Sequence, residues 1–321
     1  MPLWLSESEV HHALPMSELI DAMQTALISY SSGEAIQPVR TAFEFGPRAF
    51  FAAMPACDPN SGLVGAKLVS VLMDNAAKDL PSHQALIALF DRTTGAVLAI
   101  ADGRYITEAR TAAVSAVSAR HLARQDAHTL AIIGTGVQAR SHLDALPLVR
   151  DFRDIRAWSP NRVNLQTFVA TAPVQVHAAA SPEEAIRGAD VVVLATSAVN
   201  PVLLNDWVAP GTHVIAVGAC RPTQREMEGA LLARARVIVD SRAAALVESG
   251  DLLMAIAEGH ITANSIHAEL GEVASGAKPG REYAEQITIF KSLGLAIEDV
   301  VSAGLAYRCA LADNRGVQVS L

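Results

Sequence analysis

The stretch that most constrains this chain is Thr129-Leu130-Ala131-Ile132-Ile133-Gly134-Thr135-Gly136-Val137-Gln138-Ala139. A largely apolar run ends on a glycine, a second glycine follows two positions later, and a small alanine three after that. A strand that turns sharply into a helix needs this pattern. Gly134 permits the tight turn, Gly136 lets a pyrophosphate approach the backbone, and Ala139 lets the helix lie close to the strand. Thr135, Val137 and Gln138 complete the candidate cofactor loop, whose backbone N–H groups favour phosphate. A glycine turn alone can bind nothing, so its context decides. Strand-like segments at 155–159, 174–178, 190–196, 213–219 and 237–241 alternate with helical stretches, one opened by the capping box Ser181-Pro182-Glu183-Glu184. That alternation predicts a doubly wound parallel sheet.

The second strand of this series ends at Ser159, followed by Pro160, Asn161 and Arg162. An NAD site usually places an acidic residue about 20 residues beyond the fingerprint, to accept from the ribose 2′-OH. No acid stands here, whereas Ser159, Asn161 and Arg162 are suited to a 2′-phosphate. NADP(H) is therefore the favoured cofactor, with NAD(H) as the alternative.

The remainder of the 321 residues is enough for a second domain. A helix is expected at 17–30, then strands at 39–45, 48–53, 63–72, 84–90 and 97–101, whose short connections predict an antiparallel or mixed sheet. Thr107 is expected to cap a helix to about 123 rich in small residues, which suit it to close packing between domains. The tail from 284 reads as helical. The fold class is thus α/β: a Rossmann-type parallel sheet at 124–299, plus a discontinuous α+β domain at 1–123 to which a C-terminal helix at about 300–321 returns.

Composition removes several functions. At 51% hydrophobic the chain supports real cores and is not disordered. Net charge −8 with 5% aromatics disfavours nucleic acid and anionic membranes as partners. No apolar run reaches the roughly 20 residues of a membrane span, and no basic stretch precedes an apolar one at the N-terminus, so a leader is not expected. Three scattered cysteines, Cys57, Cys220 and Cys309, suit a reducing compartment, and a cytoplasmic location is expected. His11, His12, His260 and His267 show no metal-ligand spacing, so no metal is expected. Glu248, Asp251 and Glu269 read as surface or loop carboxylates.

Three cations of the first domain stand beside apolar or small neighbours: Arg40 at a strand start, Lys67 within a strand, and Arg110 in what reads as the first turn of a helix. Each alone is an ordinary surface charge. Arg110 would oppose the helix dipole there unless an anion is near, and the three together suit a carboxylate clamp.

With these motifs in hand, the chain resembles the ornithine cyclodeaminase/mu-crystallin family over nearly its whole length. The resemblance rests on Gly65-Ala66-Lys67, Glu108-Ala109-Arg110-Thr111-Ala112-Ala113, the glycine-rich turn, Val217-Gly218-Ala219, and Phe290-Lys291-Ser292-Leu293-Gly294 running on to Glu298-Asp299. Pro81-Ser82-His83-Gln84-Ala85 and Gly218-Ala219-Cys220-Arg221-Pro222 are closest to the mu-crystallin branch. The resemblance implies a Rossmann domain and a substrate domain that also forms a homodimer interface. It implies further that Arg40, Lys67 and Arg110, assisted by Thr111, surround a substrate carboxylate. It also puts Thr196, Val217, Gly218, Ala219, Lys291 and Ser292 beside the cofactor.

One departure bears on the reaction. Ornithine cyclodeaminases carry an aspartate where this chain has Cys220, and a thiol with a pKa near 8.5 does not copy a carboxylate at neutral pH. This favours the reductase members of the family, and the resemblance to them implies NAD(P)H-dependent reduction of a cyclic ketimine carboxylate, Δ1-pyrroline-2-carboxylate or Δ1-piperideine-2-carboxylate, to proline or pipecolate. The alternatives are ornithine cyclodeaminase, an NAD-dependent lyase, and a non-catalytic NADPH-dependent small-ligand binding protein. The proton that imine reduction requires is expected from Lys67, His83 or water, histidine being suited to donation near neutral pH.

Overall fold

The computed structural model describes residues 1–38 and 40–320, with the backbone alone for Ala76. Val39, at the head of the expected strand 39–45, lies outside the described residues.

In chain order the elements are β1 (Leu3–Leu5), α1 (Glu7–His12), α2 (Met16–Ser31), β2 (Thr41–Gly46), β3 (Ala49–Asp58), β4 (Leu63–Leu72), β5 (His83–Asp91), β6 (Val97–Asp102) and α3 (Gly103–Leu122). There follow β7 (Thr129–Ile133), α4 (Val137–Ala145), β8 (Asp154–Trp158), α5 (Arg162–Ala170), β9 (His177–Ala178), α6 (Pro182–Ile186), β10 (Val191–Leu194) and β11 (His213–Ala216). The chain continues through α7 (Gly229–Ala233), β12 (Arg236–Val239), α8 (Arg242–Glu248), α9 (Gly250–Ala257), β13 (Ile266–Glu269), α10 (Leu270–Ala274), β14 (Thr288–Lys291), α11 (Ala296–Ala312) and β15 (Val317–Gln318).

These form two compact units, Met1–Arg110 with Gly294–Leu321, and Thr111–Leu293. The first holds a seven-stranded sheet of order β15-β1-β6-β5-β4-β3-β2. Strands β2 to β6 pair antiparallel, and β1 joins β6 in parallel. Alternation on β4 turns Leu63, Gly65, Lys67 and Val69 to one buried face and leaves Leu68 exposed. Helix α11 packs on the buried face against β3, β4 and β5. Gly65 makes the approach possible, because a Cβ there would stand 2.7 Å from Ala88 O and 3.1 Å from Val300 Cγ2 on α11. On the other face, Phe43, Leu68 and Leu86 remain exposed.

The second unit is an eight-stranded sheet of order β13-β12-β14-β11-β10-β7-β8-β9, with every pair parallel. Strands β7, β10, β11 and β14 are buried at every position. Helices on both faces of a parallel sheet explain why these strands read as continuous apolar runs rather than alternating ones. Each buried Ile or Val, such as Ile132, Val192, Ile215 and Ile289, contributes about 1.5–3 kcal/mol.

Several elements differ from expectation. Helix α3 begins at Gly103 rather than 107, because Asp102 Oδ1 accepts from Tyr105 N at 2.9 Å and starts it a turn early. Thr107 lies inside, its hydroxyl donating back to Gly103 O. The tail expected to be helical from 284 contains β14 in the body of the sheet; a four-residue strand, Thr288-Ile289-Phe290-Lys291, has too little periodicity to declare itself. The C-terminal helix occupies Ala296–Ala312, and the residues beyond it form β15 against β1. The unit edges fall at Arg110/Thr111 and Leu293/Gly294 instead of at 123/124 and 299/300. The first edge lies inside a continuous helix, where neither turn nor linker marks it. Among the described residues, no helix is long and apolar enough to cross a membrane.

Candidate active site

In the first unit, β4 presents Lys67 inward, α3 presents Arg110, and the first turns of α11 present Glu298 and Asp299. All four are buried, the two carboxylates completely. Lys67 Nζ lies 2.7 Å from Asp299 Oδ2, an ion pair rather than an aligned hydrogen bond. It also reaches Thr107 Oγ1 at 3.4 Å. Arg110 donates through Nε to Asp299 Oδ1 at 3.1 Å and through Nη1 to Glu298 Oε2 at 2.7 Å. Two cations and two anions thus share one desolvated site. Removing either side of such a group costs about 3–5 kcal/mol, because an uncompensated charge stays buried.

This arrangement corrects the dipole argument for Arg110. With α3 starting at Gly103, Arg110 sits beyond the first turn, and the anions that hold it are Glu298 and Asp299. Those two acids stand in the family-like run but drew no role from the sequence. Their signal was weak: acids in a helix's first turn ordinarily face water and favour the dipole.

Burial pushes the Lys67 ammonium down to about 8, against the pull of Asp299 and with a further push from Arg110. His83, the first residue of β5, is half-buried. Its imidazole is pushed down to about 4, first by burial and then by the Lys67 charge. It is neutral at pH 7, so of the three proton sources left open it carries no extra proton there. Arg40 is half-buried just before β2, and Thr111 is buried as the first residue of the second unit.

In the second unit, the turn between β7 and α4 has the conformation the motif requires. Gly134 has φ +116°, its N–H donates to Trp158 O at 2.9 Å, and a Cβ would run into Ala195 O. Gly136 is the N-cap of α4, where no side chain caps the helix and a Cβ would meet open space. Thr135 is half-buried, Val137 exposed, Gln138 half-buried and Ala139 fully buried. An uncapped nine-residue helix opening onto free space fits a dinucleotide phosphate.

Ser159 is buried at the end of β8, while Asn161 and Arg162 are exposed at the start of α5. Asn161 caps that helix, Oδ1 accepting from Asn164 N at 3.1 Å. Thr196, Val217, Gly218 and Ala219 follow the C-terminal ends of β10 and β11, the edge where such sheets bind ligands. Lys291 is buried and paired with Asp251 at 3.2 Å; Ser292 donates to Asp240 Oδ2 at 3.2 Å. Asp251 is therefore no surface carboxylate: it is 2% exposed and also accepts from Glu226 N and Met227 N. Glu226 is another buried acid without a local sequence signal. Burial pushes its carboxyl up while the Lys291 ammonium pulls it back. Cys220 is half-buried beyond β11, its thiol donating to Val217 O at 3.3 Å.

The model of the ornithine cyclodeaminase/mu-crystallin family matches residues 2–314. The ketimine reductase mu-crystallin of Rattus norvegicus is 42% identical over 311 residues, covering 95% of this chain and 96% of that protein. The structure of Thermococcus litoralis Δ1-pyrroline-2-carboxylate reductase, in complex with NADH and L-proline, superposes with a TM-score of 0.96 at 37% identity. That match covers 99% of this chain and 100% of the other. An archaeal alanine dehydrogenase dimer with bound NAD gives 0.94 at 35% identity, covering 100% and 99%. From its first strand to its last helix, this chain belongs to the ornithine cyclodeaminase/mu-crystallin family.

Proposed function

We propose that this chain is a nicotinamide-nucleotide-dependent reductase of cyclic ketimine carboxylates, converting Δ1-pyrroline-2-carboxylate or Δ1-piperideine-2-carboxylate to proline or pipecolate. The observation that carries this reading is the buried group of Lys67, Arg110, Glu298 and Asp299. It fixes two cations on rigid elements, where preorganised charge is most effective. The mu-crystallin relative named for ketimine reduction and the neighbour holding NADH and L-proline support the same substrate class.

In this mechanism Arg110 and Arg40 hold the substrate carboxylate. Lys67, with its pKa near 8, keeps a proton on Nζ at pH 7 and delivers it to the imine nitrogen. The neutral His83 leaves that role to Lys67. The nucleotide supplies the hydride. The turn at Gly134–Gly136 would hold its phosphates, and Ser159 and Arg162 would favour a 2′-phosphate, hence NADP(H) over NAD(H). Cys220, in place of the cyclodeaminases' aspartate, argues against ornithine cyclisation.

The exposed outer sheet face carrying Phe43, Leu68 and Leu86 is assigned to a second copy of the chain, in keeping with the dimeric alanine dehydrogenase neighbour. The scattered free cysteines fit a cytoplasmic location.

Consumption of NADPH and NADH should be followed with both cyclic ketimines and with pyruvate plus ammonia, and ammonia release from L-ornithine should be followed separately with NAD+ supplied. Ketimine-dependent oxidation without ammonia release from ornithine is the expected result. Activity confined to pyruvate or to ornithine overturns the assignment.

A further inference from the structure

In a sheet wound as β9-β8-β7-β10-β11-β14, each half takes one mononucleotide. The fingerprint turn and the Ser159–Arg162 segment belong to the first half and so to the adenosine side. The loops leaving β10 and β11 belong to the second half and so to the nicotinamide side. One buried carboxylate ties those two loops together. Glu226 Oε1 accepts from Thr196 N and Thr196 Oγ1, both at 2.8 Å. Glu226 Oε2 accepts from Gly218 N and Ala219 N, both at 2.9 Å. Gly218 has to be glycine for the loops to come this close, since a Cβ would run into Thr196 O and Glu226 Oε1. Glu226 is itself held from behind: its N–H donates to Asp251 Oδ1 at 2.7 Å, and Asp251 is paired with Lys291.

We propose that Glu226 is the positioning residue of the nicotinamide half of the cofactor site, setting the separation of the loops after β10 and β11 through its two oxygens. This rests on the reading of the chain as a nicotinamide-nucleotide enzyme. The chemistry is specific to a carboxylate, which offers acceptors on both sides. An amide offers one acceptor and one NH2 donor, so glutamine turns a donor toward one of the loops. Facing Gly218 and Ala219, that NH2 meets two backbone N–H groups that cannot reverse. Facing Thr196, it leaves the Thr196 N–H without an acceptor. In either orientation a buried donor loses its partner and the loops part.

The test compares full dinucleotides with fragments carrying the adenosine half alone. NADPH and NADH, together with 2′,5′-ADP and 5′-AMP, are titrated by fluorescence or calorimetry into wild type, Glu226→Gln and Glu226→Asp. Glu226→Gln should weaken the dinucleotide that wild type binds by tenfold or more, while the matching fragment stays within about twofold. Glu226→Asp keeps the charge but is one methylene too short to reach both loops. It should show the same selective loss at smaller size, and it serves if the glutamine variant does not fold. Unaltered dinucleotide binding overturns the inference, and so does parallel weakening of dinucleotide and fragment, the signature of a merely structural residue. A wild-type protein that binds neither dinucleotide removes the nucleotide reading itself, and the inference with it; selective failure in the variants alone leaves that reading standing.

Discussion

Lys67 Nζ and Asp299 Oδ2 stand 2.7 Å apart in a buried site, and the other oxygen of Asp299 holds Arg110. The two cations most suited to a substrate carboxylate are therefore coupled through one internal acid. Asp299→Asn should destabilise the protein by about 3 kcal/mol or more, since it leaves two buried cations with one anion. Adding Lys67→Met should recover part of that loss, giving a coupling of about 0.5–3 kcal/mol in a urea-unfolding cycle. Strict additivity would show that the pair does not interact in solution.

Arg110→Ala should reduce kcat/KM for the ketimine by at least about tenfold, as expected for a charge-assisted hydrogen bond worth about 1.5 kcal/mol or more. NADPH affinity should stay near wild type, because the glycine turn and its helix belong to the other unit. The comparison is steady-state kinetics beside a cofactor titration. Unchanged kinetics in the variant would place the carboxylate elsewhere.

The pH profile distinguishes the two candidate proton donors. Lys67 is charged below about 8 and loses its proton as pH rises through that value. Donation from Nζ therefore predicts kcat/KM falling with slope approaching −1 above about pH 8. His83, pushed to about 4, stays neutral across the neutral range and adds no inflection near 6.5. His83→Gln should leave the alkaline limb in place. A limb centred near 6.5 that vanishes in that variant would reassign the donor.

Arg162→Ala should narrow the preference for NADPH over NADH. Arg162 is exposed on the first residue of α5, so the change should leave the melting temperature nearly unaltered. Parallel titrations of both cofactors decide it, and an unaltered ratio would exclude the guanidinium from 2′-phosphate recognition.

Local chemistry made much of this protein legible. The glycine spacing at 134 and 136 and the apolar runs at β7, β10 and β11 each state their structure within a few residues, because a sharp turn and a doubly covered strand both demand particular side chains in place. Lys67 and Arg110 were legible as candidates for the same reason: a cation among small and apolar neighbours has to be held by something.

What held them was not legible. Asp299 is more than 200 residues from Lys67 and nearly as far from Arg110, and an acid in a helix's first turn looks the same whether it faces water or a buried lysine. Asp251 misled in the same way, reading as a surface or loop carboxylate though it is buried, and the equally buried Glu226 gave no signal at all. The value of His83 depends on burial and on the Lys67 charge across the strands, so no neighbour in sequence predicts it. The chain alone determined its family, its glycine turn and most of its strands, but not the short β1, β13, β14 and β15. Only the tertiary structure decided which charges are desolvated together, because desolvation and ion pairing depend on distances that sequence separation does not encode.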